Sequence, residues 1–231
     1  MRSRFLFGAI AILIGAVCVR LGFWQLDRLK ERRIRNAAVA ARSATPAVDI
    51  ATLRGGPDEL RFRRARITGT ADYAHELVLG NRTREGSPGV NYLTPVRIPG
   101  RDTAVLVNRG WVYSPDATTP VAGDWREGDT VTFEGYVEVL TPGPATPVHP
   151  ARPRAIPRAT LASVQARVPY PIADVYLVAL VPADAGRDHV PARVVLPPIT
   201  DEGSHLGYAF QWFFFSTVAF VGAGIAMRKP R

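Results

Sequence analysis

The chain of 231 residues carries an apolar segment long enough to cross a bilayer near each end, and this pairing constrains its architecture more than any other feature. Phe5 to Val19 is an unbroken apolar run, followed by Arg20 and then Leu21-Gly22-Phe23-Trp24-Gln25. At 1.5 Å per residue a helix of this length reaches ~30 Å, the thickness of a hydrocarbon core. Arg20 lies one turn from the end, where its stem can carry the charge to the interface. The second segment, Leu206 to Met227, holds no charged residue and stops at Arg228-Lys229. The expected boundaries are a first transmembrane helix over 5–26, a domain over 47–200 and a second transmembrane helix over 205–227. The first helix is expected to continue to about residue 42, since no Gly or Pro follows Gln25 until Pro46. Two spans put both termini on one side of the membrane and the domain on the other. The competing reading of the first segment is a cleaved signal peptide announced by Arg2 and Arg4, but no small-x-small cleavage site follows, and Cys18 lacks a lipobox.

The net charge of +9 suggests nucleic acid until it is divided along the chain. Residues 1–42 hold nine Arg/Lys against Asp27 and Glu31, and Arg228, Lys229 and Arg231 add three more positive charges. The stretch between carries 17 basic and 18 acidic residues, net −1. The excess therefore belongs to the membrane borders, where it meets lipid head groups, and the domain has no basic footprint for nucleic acid. Orientation is left open by charge alone. Arg2, Arg4 and the C-terminal cluster favour cytoplasmic termini, whereas Arg28, Lys30, Arg32, Arg33 and Arg35 would draw the other border inside. Cys18 is the only cysteine, which excludes an internal disulfide, thiol exchange and a cysteine metal site.

Gly8, Ala11, Gly15, Cys18 and Gly22 recur at steps of three and four, one stripe of a helix. Small residues let backbones approach, so this stripe is expected to meet a second helix. Ala219, Gly222 and Ala226 form a comparable patch on the second span, which makes the two spans each other's expected partner.

Between the spans the pattern has period two. Phe62 to Gly69, Glu76 to Leu79, Asn91 to Ile98, Ala104 to Val112, Thr130 to Leu140 and Val175 to Val181 read as strands. Gly80-Asn81 ends the second, and Gly86-Ser87-Pro88-Gly89 reads as a turn. Residues 141–157 hold six prolines and read as a loop. Thr160 can cap a short helix to Arg167, and Pro191 to Thr200 is an extended approach to the second span. The expectation is an α+β membrane protein: two terminal transmembrane helices around a β-rich domain, antiparallel or barrel-like, with one short helix.

Catalytic constellations are scarce. There is no phosphate loop and no His-Glu-x-x-His helix, and Ser87 followed by proline is not a nucleophile elbow. A surface hydrolase would need a cleft of acid, base or nucleophile that this sequence does not display. His75, His149 and His189 are scattered and read as solvated or structural. His205 is different: it opens the second span and shares a helical face with Tyr208 and Trp212. Imidazole presented from a helix in apolar surroundings is a common axial ligand of haem, and aromatics beside it suit a flat macrocycle. On spacing alone, capping or interfacial anchoring is the simpler reading of His205. Trp24, Gln25 and Arg28 occupy the matching end of the first span. Arg28 can pair with an anion such as a haem propionate, or serve as an ordinary interfacial anchor.

Gly22-Phe23-Trp24-Gln25 with Arg28, then Asn108-Arg109-Gly110-Trp111-Val112, then His205-Leu206-Gly207-Tyr208-Ala209-Phe210-Gln211-Trp212-Phe213 resemble the surfeit locus protein 1 family. The likeness runs in order from about Leu21 to Ala219, and the last motif is its most specific part. Members are assembly factors of haem-copper cytochrome c oxidases. The resemblance implies a multi-pass protein of the cytoplasmic membrane with both termini cytoplasmic and the central domain extracytoplasmic. The basic run at 28–35 argues the other way, but Asp27 and Glu31 lie among those charges. It further implies a non-enzymatic role in maturing oxidase subunit I, haem a as cargo, and haem a synthase as a second partner. The family histidine maps to His205 as haem-iron ligand, the first-helix tryptophan to Trp24, and the strand-end motif to Asn108, Arg109, Gly110 and Trp111. Arg109 and Trp111 read equally well as residues that hold a hairpin. The alternative function is a purely structural membrane scaffold that stabilises an oxidase intermediate without haem.

Overall fold

A computed structural model describes residues 2–120, 123, 125–181, 191–193 and 202–228. The chain forms two compact units, Met1–Ala40 with Pro198–Arg231, and Ala41–Pro197. His189 and most of the expected extended approach before the second span lie outside the described residues.

The first unit is built on two helices, each long and apolar enough to cross a membrane. Helix α1 spans Arg2–Ser43 and α4, the last element, spans His205–Met227. Their contact follows from residue size. A Cβ on Gly8 would lie 2.8 Å from the Met227 side chain, one on Gly15 2.6 Å from the Phe220 ring, and one on Gly22 2.6 Å from the Phe213 ring. Three glycines seven residues apart thus receive three large side chains seven apart in the reverse direction, an antiparallel seam of knobs in holes. Cys18 is buried between them in sequence, and Phe23 meets Phe213 edge-on at 5.4 Å. The stripe expected on the first span is therefore the contact face. The patch expected on the second is not: Ala209, Ser216 and Ala223 are the buried small residues of α4, and Gly222 faces open space. The physical reason is that small residues are needed on one helix only: the glycines of α1 accept the bulk of α4.

The second unit runs through β1 (Val48–Asp49), α2 (Pro57–Leu60), β2 (Arg64–Ala71), β3 (Leu77–Arg84), β4 (Ser87–Arg97), β5 (Ala104–Tyr113), β6 (Thr130–Val139), β7 (Ala155–Ile156), α3 (Leu161–Gln165) and β8 (Ile172–Ala179). The sheet order is β1-β2-β6-β8-β5-β4-β3-β7, and β2 also pairs with β4. That extra pairing, Thr70 with Arg97 and Ala71 with Val96, closes β2, β6, β8, β5 and β4 into a ring. The barrel-like expectation holds, and the wholly antiparallel one does not, because β5 runs parallel to β8. Alternation along each strand sorts the side chains. Ile67, Val107, Phe133, Val137 and Leu177 fill one cluster, while Leu77, Leu93, Leu106, Ile156 and Val164 form a second under α3.

Three local expectations change. Gly80-Asn81 does not end β3. Asn81 takes φ +56° and the register shifts between Leu79 and Arg82, so the strand bulges and continues. The β3–β4 turn is Glu85-Gly86, both at positive φ as a two-residue hairpin demands, and Ser87, Pro88 and Gly89 belong to β4. The proline-rich stretch contributes β7, and α2 adds a second short helix. Thr160 caps α3 as expected, accepting the Ser163 N–H.

Candidate functional site

Sequence reading points to two clusters, and each lies within one unit. The first is the end of the helical pair where α4 begins. His205 Nδ1 lies 2.7 Å from Gln25 Oε1, and Gln25 is only 9% exposed because it sits on the helix–helix face. An amide oxygen can only accept, so Nδ1 carries the proton and Nε2 is left with its lone pair, the form in which imidazole binds a metal. Gly203, at φ +72°, lies beside that nitrogen: a Cβ there would come within 3.6 Å of His205 Nε2 and 3.3 Å of an Arg32 guanidinium nitrogen. The left-handed backbone favours glycine at 203, and a cationic group lies close by. Arg33 clamps the same end through a two-point bond to Glu202, at 3.0 and 2.9 Å.

Among the described residues, Gln25 is the one expected residue hydrogen-bonded to the imidazole. Trp24 is turned outward and half-exposed, with the Arg28 guanidinium 5.6 Å from its ring. Arg28 is held by Glu31 at 2.8 Å, so it does not present an uncommitted charge to a propionate. Tyr208 and Gln211 are exposed, and Trp212 is partly buried against Phe215, 6.1 Å between ring centres. Gln25, expected as a contact to a ligand, instead orients the histidine. The donor set fits one axial nitrogen with aromatic surface nearby, and among the described residues no group of His, Cys, Asp and Glu could hold a bare metal ion.

The second cluster is the Asn108-Arg109-Gly110-Trp111 motif on β5. Arg109 is 1% exposed, and its buried charge is met from several directions. It pairs with Glu76, donates to Thr94 Oγ1 at 2.7 Å, to Glu127 at 3.1 Å and to the Trp125 carbonyl. Its guanidinium also lies 5.1 Å from the Tyr73 ring and 5.6 Å from that of Tyr92. Burial opposes its charge, yet the two carboxylates outweigh this and raise its pKa. Arg193, also buried, shares Glu127 and donates to the Arg109 carbonyl at 2.9 Å. Two arginines and two glutamates therefore neutralise one another out of water, the condition for retaining buried ions.

The rest of the motif serves the same join. Trp111 and Ala192 exchange backbone hydrogen bonds at 2.9 and 2.8 Å. Gly110, at φ +131°, allows that approach, since a Cβ would lie 2.8 Å from the Ala192 carbonyl oxygen. Asn108 Oδ1 accepts the Gly110 N–H at 3.1 Å, and the Trp111 ring lies over Gly89. Of the two readings of this motif the geometry supports the architectural one: it fastens residues 191–193 to the sheet. Glu76, Glu127, Thr94 and Arg193 escaped sequence reading. The only signal was that an arginine in an otherwise apolar strand requires carboxylates from elsewhere.

The other two described histidines are engaged by neighbouring residues. His75 is bonded to Asp72 at 2.8 Å, which also accepts from Tyr170, and His149 accepts the Ala151 N–H in an exposed turn.

The chain is 32% identical over 104 residues to a SURF1-like protein of Rickettsia felis, covering 44% of each chain. It is 33% identical over 96 residues to one of Rickettsia bellii, covering 41% of this chain and 39% of the relative. A SURF1-like protein of Monosiga brevicollis is 30% identical over 137 residues, 54% of this chain and 51% of that one. The chain thus spans about half or less of the curated relatives it matches. The family model is broader: it matches residues 12–217, from within α1 through both clusters to Thr217 of α4. With most of the first helix, the strand motif and the helix-initial histidine inside that span, the chain belongs to the SURF1 family.

Proposed function

We propose that this chain is a membrane-anchored assembly factor for haem-copper cytochrome c oxidase that holds haem a for delivery to subunit I. The SURF1 family is linked to cytochrome oxidase assembly in general. The observation that carries the finer reading is the Gln25–His205 bond, which leaves Nε2 as the basic nitrogen, with Gly203 beside it. In this reading the two long helices cross the cytoplasmic membrane with both termini inside and the β-domain outside. His205 supplies the iron ligand, and Trp24 and Tyr208 offer aromatic surface to the macrocycle. The protein catalyses no bond change. It keeps an apolar, poorly soluble cargo oriented and shielded between haem a synthase and subunit I.

Purification after co-expression with haem a synthesis tests this. The wild-type protein is expected to carry the absorption bands of haem a, and His205→Ala to lose or shift them. An unchanged spectrum at full occupancy in His205→Ala would remove His205 as ligand. A colourless wild-type protein that still captures subunit I would favour the scaffold reading instead.

A further inference from the structure

The β-domain contains a cavity of about 410 Å³ whose inner wall is the Arg109–Glu76 cluster and whose outer lining that cluster does not account for. It opens on the face of β3, β4 and β5 that carries Val78 and Tyr92, opposite the packed Leu77 and Leu93. This volume is at the small end of ligand pockets, suited to one or two side chains. Tyr92 and Trp125 supply flat apolar surface. The Trp125 indole N–H is buried and interacts with the Tyr92 hydroxyl, which holds the two rings together at the cavity wall.

The charge at the cavity is one-sided. Glu76 is the single acid among its described lining residues, and its carboxylate is already engaged by Arg109 and Thr94. Arg152 and Arg154 line the mouth, and among the described residues neither pairs with a carboxylate. The Arg152 guanidinium donates to Thr118 Oγ1 at 2.6 Å, and the backbone of Arg154 is tied to β3, its carbonyl accepting the Val78 N–H at 2.9 Å next to the β3–β7 pairing. Guanidinium forks at such a rim suit carboxylates. Nucleic acid is disfavoured, because residues 43–227 carry net −1.

We propose that this cavity docks a segment of a partner protein that presents a carboxylate beside an aromatic side chain. The ring seats against Tyr92 and Trp125, and the carboxylate bridges Arg152 and Arg154. A buried aromatic anchor rimmed by charge is the usual energetic centre of a protein interface. The inference is independent of whether the helical pair holds haem.

The test uses the full chain in detergent micelles and fluorescently labelled pentapeptides read by anisotropy. Gly-Asp-Phe-Glu-Gly is expected to bind, and Gly-Lys-Phe-Lys-Gly and Gly-Asp-Ala-Glu-Gly each at least tenfold more weakly. The Arg152→Gln/Arg154→Gln protein is expected to lose tenfold or more in affinity with an unchanged thermal transition, since both side chains are exposed. Equal binding of the lysine peptide overturns the proposal, as does undiminished binding by the double variant. So does an absence of peptide binding at millimolar concentration, including the case in which free phenylacetate saturates the site and the peptide does not.

Discussion

Gln25 and His205, 180 residues apart in the chain, meet at 2.7 Å with the amide oxygen accepting the imidazole Nδ1 proton. One partly buried hydrogen bond therefore sets which nitrogen of the ring can act as a base or a ligand.

The tautomer is directly measurable. In histidine-labelled protein, nitrogen NMR should find Nδ1 protonated and Nε2 bare. Gln25→Leu should return His205 to the Nε2–H form that free imidazole favours. If the haem reading is correct, that change should also weaken haem retention roughly 10–100-fold, the usual loss for a partner that orients a ligand. A wild-type ring found in the Nε2–H form would contradict the geometry.

The helical seam predicts a size-dependent pair of substitutions. Gly15→Leu places a side chain where the Phe220 ring already stands, since even a Cβ would be 2.6 Å away. Overpacking of this kind should destabilise the pair by about 1–3 kcal/mol. Adding Phe220→Ala should recover a large part of the loss, as read by unfolding in mixed micelles. Gly222→Leu, facing open space, should leave stability nearly unchanged.

Arg109→Met should be far more harmful than its conservative volume suggests. It strips Glu76 and Glu127 of a shared buried cation, and breaking such a pair destabilises by about 3–5 kcal/mol. Arg109→Lys should not rescue it, because one ammonium cannot span Glu76, Glu127 and Thr94 as the fork does. Urea unfolding followed by near-ultraviolet circular dichroism measures both.

Gly110→Ala tests the join separately. At φ +131°, with a Cβ 2.8 Å from the Ala192 carbonyl, alanine pays backbone strain of about 1–3 kcal/mol and loosens residues 191–193. Hydrogen exchange at the Trp111 and Ala192 amides should accelerate, while exchange in β6 changes little.

The alkaline limb of stability follows from the tyrosines. Burial, reinforced by Glu138, pushes Tyr136 up to about 12, and burial raises Tyr170 and Tyr176 as well. The unfolded chain releases these protons near pH 10, so the stabilisation is whole below pH ~10 and is lost as pH rises through the native values. Absorbance at 295 nm should show these phenols ionising with unfolding, and Tyr136→Phe should flatten the decline between pH 10 and 12.

Much of this was legible because period and size act locally. Gly8, Gly15 and Gly22 announced a contact face, alternation located six of the strands, and Thr160 announced the start of α3. What escaped depended on residues distant in sequence. Nothing around Val107 or Leu177 indicates that β5 and β8 run parallel, and nothing near Thr70 indicates the second pairing that closes the ring. The bulge at Asn81 resembled a strand end because the same left-handed residue serves both. At the candidate site, His205 could be singled out from its place at a helix start, but its partner could not. Gln25 looked like an interfacial residue of another helix, and only the pairing of the two helices brings its oxygen to the ring.

The closing ring has a consequence for how the chain is made. β8, at Ile172–Ala179, is the stave between β5 and β6, so neither neighbour has a complete partner until that segment has been synthesised. A nascent chain emerging from its N-terminus would hold the four earlier staves of the ring, β2, β4, β5 and β6, with an open gap, bearing unpaired edges and a half-covered core for seconds. Its folding is thus postponed to the last quarter of translation, and an early truncation should yield not a smaller domain but an aggregating one.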